Sequence, residues 1–95
     1  MSYEVLFDPG ALREFDKLPK PQQRRIADLI DGLAENPRPQ GAEKMTDVEA
    51  YKLRVGDYRV IYAVKAKALI VLIVKIGNRR DVYKDVATIR KRLKK

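Results

Sequence analysis

The sequence predicts a single α+β domain spanning residues 1–95, with a small, mostly antiparallel four-stranded sheet, an N-terminal helical hairpin on one face and a C-terminal helix. Three observations lead to this fold. Apolar residues recur at helical spacing in the first half, three strand-like segments follow, and a basic segment with helical spacing ends the chain. Because 45% of the 95 residues are hydrophobic, one core can form. The expected element order is β-α-α-β-β-β-α.

The opening segment predicts a strand followed directly by a short helix. Tyr3, Val5 and Phe7 alternate with polar residues, which is typical of a half-buried strand. Asp8 supplies a helix N-cap, and Pro9 occupies the first helical position, where its missing N–H is not needed. The apolar residues expected to face the core from this helix, before it ends at Pro19, are Leu12, Phe15 and Leu18.

A second helix is predicted to begin at Pro21 and to lie antiparallel to the first. Its apolar residues follow the i, i+3, i+4, i+7 rule, so one face of the helix packs on a flat surface. These residues are Ile26, Leu29, Ile30 and Leu33. The segment 36–41 contains two prolines and a glycine, which end the helix.

Three strands are predicted at approximately Tyr51–Val55, Tyr58–Val64 and Leu69–Ile76. Gly56-Asp57 has the composition of a tight hairpin turn between the first two. The third strand is almost entirely branched aliphatic, which is typical of a central strand covered on both faces. A basic helix is predicted within residues 81–95.

The composition excludes several kinds of site. The chain has no histidine and no cysteine, which removes the usual zinc ligands and both the Ser-His and the Cys-His types of nucleophilic site. We therefore expect no metal and no cofactor. No apolar run approaches the roughly 20 residues that cross a bilayer, and the start has no signal-peptide pattern, so we expect a cytoplasmic protein without membrane contact.

The net charge of +8 is unevenly distributed along the chain. Residues 1–50 contain 7 Lys/Arg and 10 Asp/Glu, a net charge of −3, whereas residues 51–95 contain 14 Lys/Arg and 3 Asp/Glu, a net charge of +11. A strongly basic half joined to an ordinary half favours binding to a polyanion. The alternative is a solvated, lysine-rich surface without a ligand.

Part of this charge is predicted to gather on one face of the sheet. Alternate side chains of a strand share a face, so Lys52 and Arg54 point together, and Arg59 joins them across the hairpin if the turn sets that register. The residues past the last strand that are expected to extend this face are Arg79, Arg80 and Tyr83. One sheet face is thus expected to hold four or five cations and an aromatic ring.

The two most distinctive segments are Tyr51-Lys52-Leu53-Arg54-Val55-Gly56-Asp57-Tyr58-Arg59-Val60-Ile61-Tyr62 and Gly77-Asn78-Arg79-Arg80-Asp81-Val82-Tyr83. Together they resemble the core of the RelE/ParE toxin superfamily, whose elements fit the chain in order over essentially its whole length. The resemblance implies a toxin of a type II toxin-antitoxin system and, in the RelE branch, a ribosome-dependent, metal-independent endoribonuclease that cleaves mRNA in the ribosomal A site. The implied partners are the ribosome, its mRNA and a RelB-like antitoxin that forms a hetero-oligomer with the toxin.

The resemblance also implies roles in a cleavage reaction that uses the 2′-hydroxyl of the RNA. Lys52 is the implied general base. Arg79 is expected to stabilise the charge of the transition state and Arg59 to hold the phosphate in a bidentate fork. Arg54 falls where family members have a second lysine, and it is assigned charge stabilisation because an arginine stays protonated. Tyr83 is expected to stack on the nucleotide next to the cut.

Other positions receive subsidiary roles. Arg80 and Lys84 are expected to contact RNA or the antitoxin. Asn78 stands where many relatives have histidine or lysine, so a titrating group is missing there. Tyr58 and Tyr62 are expected to pack in the core and not to stack on a ligand.

Three alternatives remain open. In the first alternative, the side chains of Lys52, Arg54 and Arg59 would form only a solvated face that pairs with the acidic loop 43–49. A ParE-like toxin would inhibit DNA gyrase by binding, without RNA cleavage. An RNA-binding domain would have neither activity, and substitution of its cations would weaken binding and lower its salt dependence.

Overall fold

A five-stranded mixed sheet forms the centre of the fold in the computed structural model, which describes residues 2–78 and 86–94. The strands are β1 (Glu4–Phe7), β2 (Glu43–Lys44), β3 (Tyr51–Val55), β4 (Tyr58–Lys65) and β5 (Ile70–Asn78). Their spatial order is β1-β5-β4-β3-β2, and β1 runs parallel to β5 while every other neighbouring pair is antiparallel. The predicted α+β class with a mostly antiparallel sheet is confirmed, but the expected number of four strands is wrong.

The additional strand is β2, which is only two residues long. Glu43 pairs with Lys52 of β3, and Lys44 pairs with Tyr51. Opposite charges on directly paired residues favour this short ladder. Two residues show no alternation that the sequence could reveal, so the strand was not predicted.

The helices of the described part of the chain are α1 (Pro9–Asp16), α2 (Lys20–Glu35) and α3 (Val86–Leu93), and a 3₁₀ turn at Ala66–Ala68 joins β4 to β5. The predicted N-cap is confirmed, because the Asp8 carboxylate accepts a 2.8 Å hydrogen bond from the Gly10 N–H. Leu69 has a φ of 56°, which is left-handed backbone, so β5 begins one residue later than predicted.

The helical hairpin packs on one face of the sheet, as predicted. Ile26, Ile30 and Leu33 of α2 are buried there in a cluster with residues of β3, β4 and β5. The prediction that Leu12 faces this core is wrong, since its side chain is 46% exposed. Helix α1 instead buries Gly10 and Ala11, its smallest residues, so its backbone lies close to its neighbours.

Helix α3 packs on the opposite face of the sheet over a second cluster. The buried members of this cluster are Val48, Ala50, Ile61, Ala63, Val74 and Ile89. The described residues confirm the predicted C-terminal helix over residues 86–93, whereas residues 81–85 and 95 lie outside them. No helix in the described ranges is long and apolar enough to span a membrane.

Strand β1 ends at Phe7, and beyond this point side chains form the hydrogen bonds with the edge of β5. The Glu14 carboxylate of α1 accepts a 3.1 Å hydrogen bond from the Ile76 N–H of β5. It also accepts bonds of 3.0 Å each from the Lys75 ammonium and the Arg92 guanidinium. Burial raises the pKa of the Glu14 carboxyl, but the hydrogen bonds from Arg92, from the Ile76 N–H and from Lys75 bring it below the ordinary value of 4.5.

Arg92 joins α3 to the same edge of the sheet. Its guanidinium donates a 3.0 Å hydrogen bond to the Val74 carbonyl and lies 3.4 Å from the buried Asp8 carboxylate. A Cβ at position 10 would overlap this guanidinium, so Gly10 is needed for its close approach. Two carboxylates and two cations, those of Asp8, Glu14, Lys75 and Arg92, thus connect α1, β5 and α3.

We expect Glu14→Gln to lower the free energy of unfolding by about 1–3 kcal/mol at pH 7, because the buried cations lose their carboxylate. Since the folded-state pKa of Glu14 is lowered, its contribution is present above pH 4.5 and is lost as the pH falls through the folded-state value. Urea unfolding at a series of pH values measures this difference. Equal loss of stability at neutral and acidic pH, or an equal effect of Glu4→Gln at an exposed position, would contradict the assignment.

Candidate nucleic-acid interface

The register of the β3–β4 hairpin brings three cationic side chains to one face of the sheet. Arg54 pairs directly with Arg59, and Lys52 pairs with Ile61, which belongs to the cluster under α3. Lys52, Arg54 and Arg59 therefore lie on the face opposite the helical hairpin, as the sequence predicted. Like charges on directly paired residues are unfavourable in a sheet, which makes the Arg54–Arg59 pair a candidate for binding an anion.

The turn that sets this register is the predicted Gly56-Asp57 pair. Gly56 has a φ of 58°, the sign that a two-residue hairpin turn needs at its first position. Leu53 and Val55 of β3 and Val60 of β4 then point into the core on the helical face. The alternation of the two strands consequently places their charged residues on the other face.

A small pocket of about 110 Å³ lies among these cations. Its lining residues are Gly41, Glu43, Lys52, Arg54 and Arg59, and we call it the basic pocket. Lys52 and Arg59 are half-buried while Arg54 is exposed. Three cations against one carboxylate give the basic pocket a net charge of +2 and a size that suits a phosphate group and not a whole nucleotide.

The acidic loop accounts for only part of the charge in the basic pocket. The Glu43 carboxylate lies 3.5 Å from the Lys52 ammonium, which bears out one contact of the solvated-face alternative. Glu49 pairs instead with Lys44, at 3.4 Å. Within residues 2–78 and 86–94 Arg54 makes no ion pair, and its Nε donates a long 3.4 Å hydrogen bond to the Gly56 carbonyl. Counted over its lining residues, the basic pocket holds three cations and one carboxylate.

The remaining predicted site residues, Arg79, Arg80, Tyr83 and Lys84, lie outside the described residues. Strand β5 ends at Asn78, and Gly77 just before it pairs with Arg59. The last described residues of β5 thus lie beside the basic pocket. Among the described residues, no group of three or more acidic, histidine or cysteine side chains is placed to hold a metal ion.

The sequence analysis missed a second polar cluster, at the start of β3. The Arg38 Nε donates a 2.9 Å hydrogen bond to the Tyr51 hydroxyl, and the guanidinium lies 5.6 Å from the centre of the Tyr51 ring. Tyr62 is buried beneath Tyr51, as expected of a packing residue, and burial raises its pKa to about 12. Arg38 is distant from Tyr51 in sequence, so no local pattern could have joined them.

The fold and the basic pocket define a small α+β protein with a cluster of cationic side chains on one face of its sheet. The family model described as the ParE toxin of the type II toxin-antitoxin system parDE matches residues 5–83. A RelE-like toxin protein of Escherichia coli is 34% identical over 87 residues, which cover 87% of this chain and 92% of the relative. The mRNA interferase toxin RelE of Escherichia coli K12 is 29% identical over 89 residues, with coverage of 90% and 94%.

Solved structures agree with these sequence relatives. A mutant of the Escherichia coli toxin RelE in the free state superposes with a TM-score of 0.76 at 25% identity, over 90% of this chain and 94% of that one. The RelE in the archaeal RelE-RelB complex from Pyrococcus horikoshii OT3 gives a TM-score of 0.72 at 32% identity, over 83% and 97%. The chain belongs to the RelE/ParE superfamily of type II toxin-antitoxin toxins, as its sequence segments implied.

We expect Glu43→Gln to strengthen binding of single-stranded RNA, because it removes the carboxylate that competes with phosphate for Lys52. A partly exposed ion pair is worth up to about 1 kcal/mol, so the dissociation constant should fall by about two- to fivefold. Fluorescence anisotropy with a non-cleavable 2′-O-methyl RNA measures the change. Glu4→Gln, at the opposite edge of the sheet, is the matched control. An equal gain in RNA affinity for both variants would show that the effect comes from the net charge and not from the position of Glu43.

Proposed function

We propose that this toxin is a ribosome-dependent, metal-independent endoribonuclease that cleaves mRNA in the ribosomal A site and so inhibits translation in the cytoplasm. The observation that supports it most is the hairpin register, which gathers Lys52, Arg54 and Arg59 around one pocket of phosphate size. The mRNA interferase name of relatives that align with 90% of the chain supports the same activity.

The proposed reaction uses the nucleophile that RNA itself carries. The 2′-oxygen attacks the adjacent phosphorus, and the bond from phosphorus to the 5′-oxygen breaks, leaving a cyclic 2′,3′-phosphate and a 5′-hydroxyl. One group must take the proton of the 2′-hydroxyl, and another must give a proton to the departing 5′-oxygen. Cations must also stabilise the extra negative charge on the phosphate oxygens.

The described residues of the basic pocket supply part of this set. Lys52 is the proposed proton acceptor, and its half-buried position in β3 fixes where its amine can reach. Arg59 is the proposed phosphate clamp, because a half-buried guanidinium keeps its fork in one orientation. Arg54, exposed at the rim, is proposed to stabilise charge without transferring a proton.

The residues just after β5 are proposed to complete the site. Arg79 would stabilise the transition state and help to protonate the leaving oxygen, and Tyr83 would stack on the nucleotide beside the cut. Arg80 and Lys84 would contact neighbouring RNA. Their support is the family resemblance, together with the pairing of Gly77 and Arg59, which places the end of β5 beside the basic pocket.

The proposed partners follow from the charge of the molecule and from its relatives. The ribosome is a polyanion that presents the mRNA, and it is proposed to orient this substrate for the basic toxin. A RelB-like antitoxin in a hetero-oligomer is proposed because RelE relatives have been solved with RelB. Such an antitoxin would cover the basic face or displace α3.

The ParE-like alternative, inhibition of DNA gyrase without RNA cleavage, is not favoured by the curated relatives, which carry RelE names. A supercoiling assay with purified toxin separates the two activities. Inhibition of gyrase together with intact mRNA would replace the proposal by this alternative.

We expect Arg59→Ala to lower the rate of mRNA cleavage on programmed ribosomes by about 10²–10³, because one well-placed donor to a developing charge contributes this much. Arg13→Ala, on the exposed side of α1, is the matched control and should cleave like the wild type. Mapping of new 5′ ends on a reporter mRNA, after expression without antitoxin, shows the same difference in cells. Intact mRNA with the wild type, or equal cleavage by both variants, would contradict the proposal.

We expect cleavage on ribosomes to persist in EDTA, when the ribosomes are kept intact by polyamines, because the proposed reaction uses side chains and the RNA hydroxyl. Free RNA should be cut far more slowly than ribosome-bound mRNA, since the isolated protein does not orient it. Gel analysis of end-labelled RNA measures both rates. Fast metal-dependent cleavage, or equal rates on free and ribosome-bound RNA, would overturn this part of the mechanism.

A further inference from the structure

A second cavity lies at the end of the sheet where β3 begins and β4 continues past it. Its volume is about 310 Å³, and it shares no lining residue with the basic pocket. The polar residues that line it are Arg38, Lys44, Glu49, Tyr51 and Lys65, and we call it the sheet-end notch. Its apolar lining includes Ala63 and Leu93, which belong to the cluster under α3, whereas Tyr51 packs against the cluster on the helical-hairpin face. The sheet-end notch therefore opens between the two faces.

The hydrogen-bond donors that line the sheet-end notch are held in place, and they can still donate hydrogen bonds to a ligand. The Tyr51 hydroxyl accepts its hydrogen bond from the Arg38 Nε, so its own proton can be donated to a ligand. That bond uses the Nε N–H, and within the described residues the terminal nitrogens of Arg38 make no hydrogen bond or ion pair. Within the described ranges, Lys65 makes no side-chain hydrogen bond or ion pair.

Contacts with buried residues of the core and of the preceding loop hold Tyr51 and Arg38 in place. The Tyr51 ring stacks on the Tyr62 ring with centroids 5.7 Å apart and an interplanar angle of 22°. The Tyr62 hydroxyl in turn donates a 2.8 Å hydrogen bond to the Pro37 carbonyl, next to Arg38 in the chain. The Arg38 N–H donates to the Asn36 side chain at 3.2 Å. A surface arginine fixed at both its backbone and its side chain loses less entropy on binding than a solvated one.

The charge of the sheet-end notch selects an anion. Arg38, Lys44 and Lys65 face a single acid, Glu49, whose 3.4 Å pair with Lys44 joins two largely exposed side chains and is therefore weak. A guanidinium fork beside a hydroxyl donor matches the several oxygens of a phosphate group. Tyr51 is three residues from Arg54 along β3, about 10 Å at the rise of a strand, and the two side chains point to opposite faces of the sheet. Because the sheet-end notch opens between the two faces, a nucleic-acid strand that contacts both places must bend around this end of the sheet.

We propose that the sheet-end notch binds a backbone phosphate of the RNA outside the linkage that is cut. The proposal rests on the proposed function in that the polyanion is RNA. It makes Arg38, Tyr51 and Lys65 binding residues that hold the strand in place without taking part in the chemistry. An acidic segment of a partner protein is the competing occupant.

Binding of a short, non-cleavable 2′-O-methyl RNA at several salt concentrations tests the proposal. Arg38→Gln and Lys65→Gln should each weaken binding about three- to tenfold and lower the slope of log affinity against log salt by about 0.7, the value for one phosphate on a single strand. Tyr51→Phe should weaken binding without changing the slope, because it removes only a neutral donor. Arg13→Gln and Lys17→Gln are the matched controls.

In single-turnover cleavage, the notch variants should need about three- to tenfold more toxin to reach half of the maximal rate, whereas the controls Arg13→Gln and Lys17→Gln should behave like the wild type. Unchanged affinity and slope would overturn the proposal, as would weakened binding of the antitoxin with RNA binding intact, which would assign the sheet-end notch to a protein partner. If the wild type cleaves mRNA and the notch variants leave the salt slope unchanged, the proposed role of the sheet-end notch is rejected and the proposed function stands. A lowered slope without any cleavage supports the notch and rejects the proposed function.

Discussion

The pairing of β3 with β4 is the constraint on which the rest of this structure depends. A slip of one residue in this hairpin would move every side chain of β3 to the other face. Leu53 would then leave the core, and Lys52 and Arg54 would enter it without partners. Because the core and the basic pocket use alternate residues of the same two strands, the apolar residues fix the position of the charged ones. The Gly56 turn, with its left-handed backbone, maintains that register.

Charged residues serve two opposite purposes in this small fold. At the β5 edge, Asp8, Glu14, Lys75 and Arg92 are largely buried and balanced in charge, and they replace the hydrogen bonds that β1 no longer supplies. In the basic pocket, three cations and one carboxylate line the same small cavity, and of the cations Arg54 is exposed while Lys52 and Arg59 are half-buried. The first arrangement stabilises the fold. The second places like charges close together and is suited to binding an anion.

The sequence could predict what local patterns determine. The Asp8 cap and the apolar face of α2 depend on residues that are close together in the sequence. The β3–β4 turn depends on residues of two consecutive strands. Contacts between distant segments could not be predicted: Arg92 and Glu14 are 78 residues apart, and the Arg38–Tyr51 pair joins a loop to a strand. Strand β2 is too short to show alternation, and Leu12 is exposed because α1 packs through its smallest residues.

The central claim is that the cations of the β3–β4 hairpin act together as one site. A double-mutant cycle of Lys52→Ala and Arg59→Ala, measured as single-turnover cleavage on programmed ribosomes, tests it most directly. Residues that act as a unit in one reaction are strongly non-additive, so the double variant should lose little more activity than the more damaging single variant. If the two losses in activation free energy simply add, the side chains act independently and a shared site at this hairpin is contradicted.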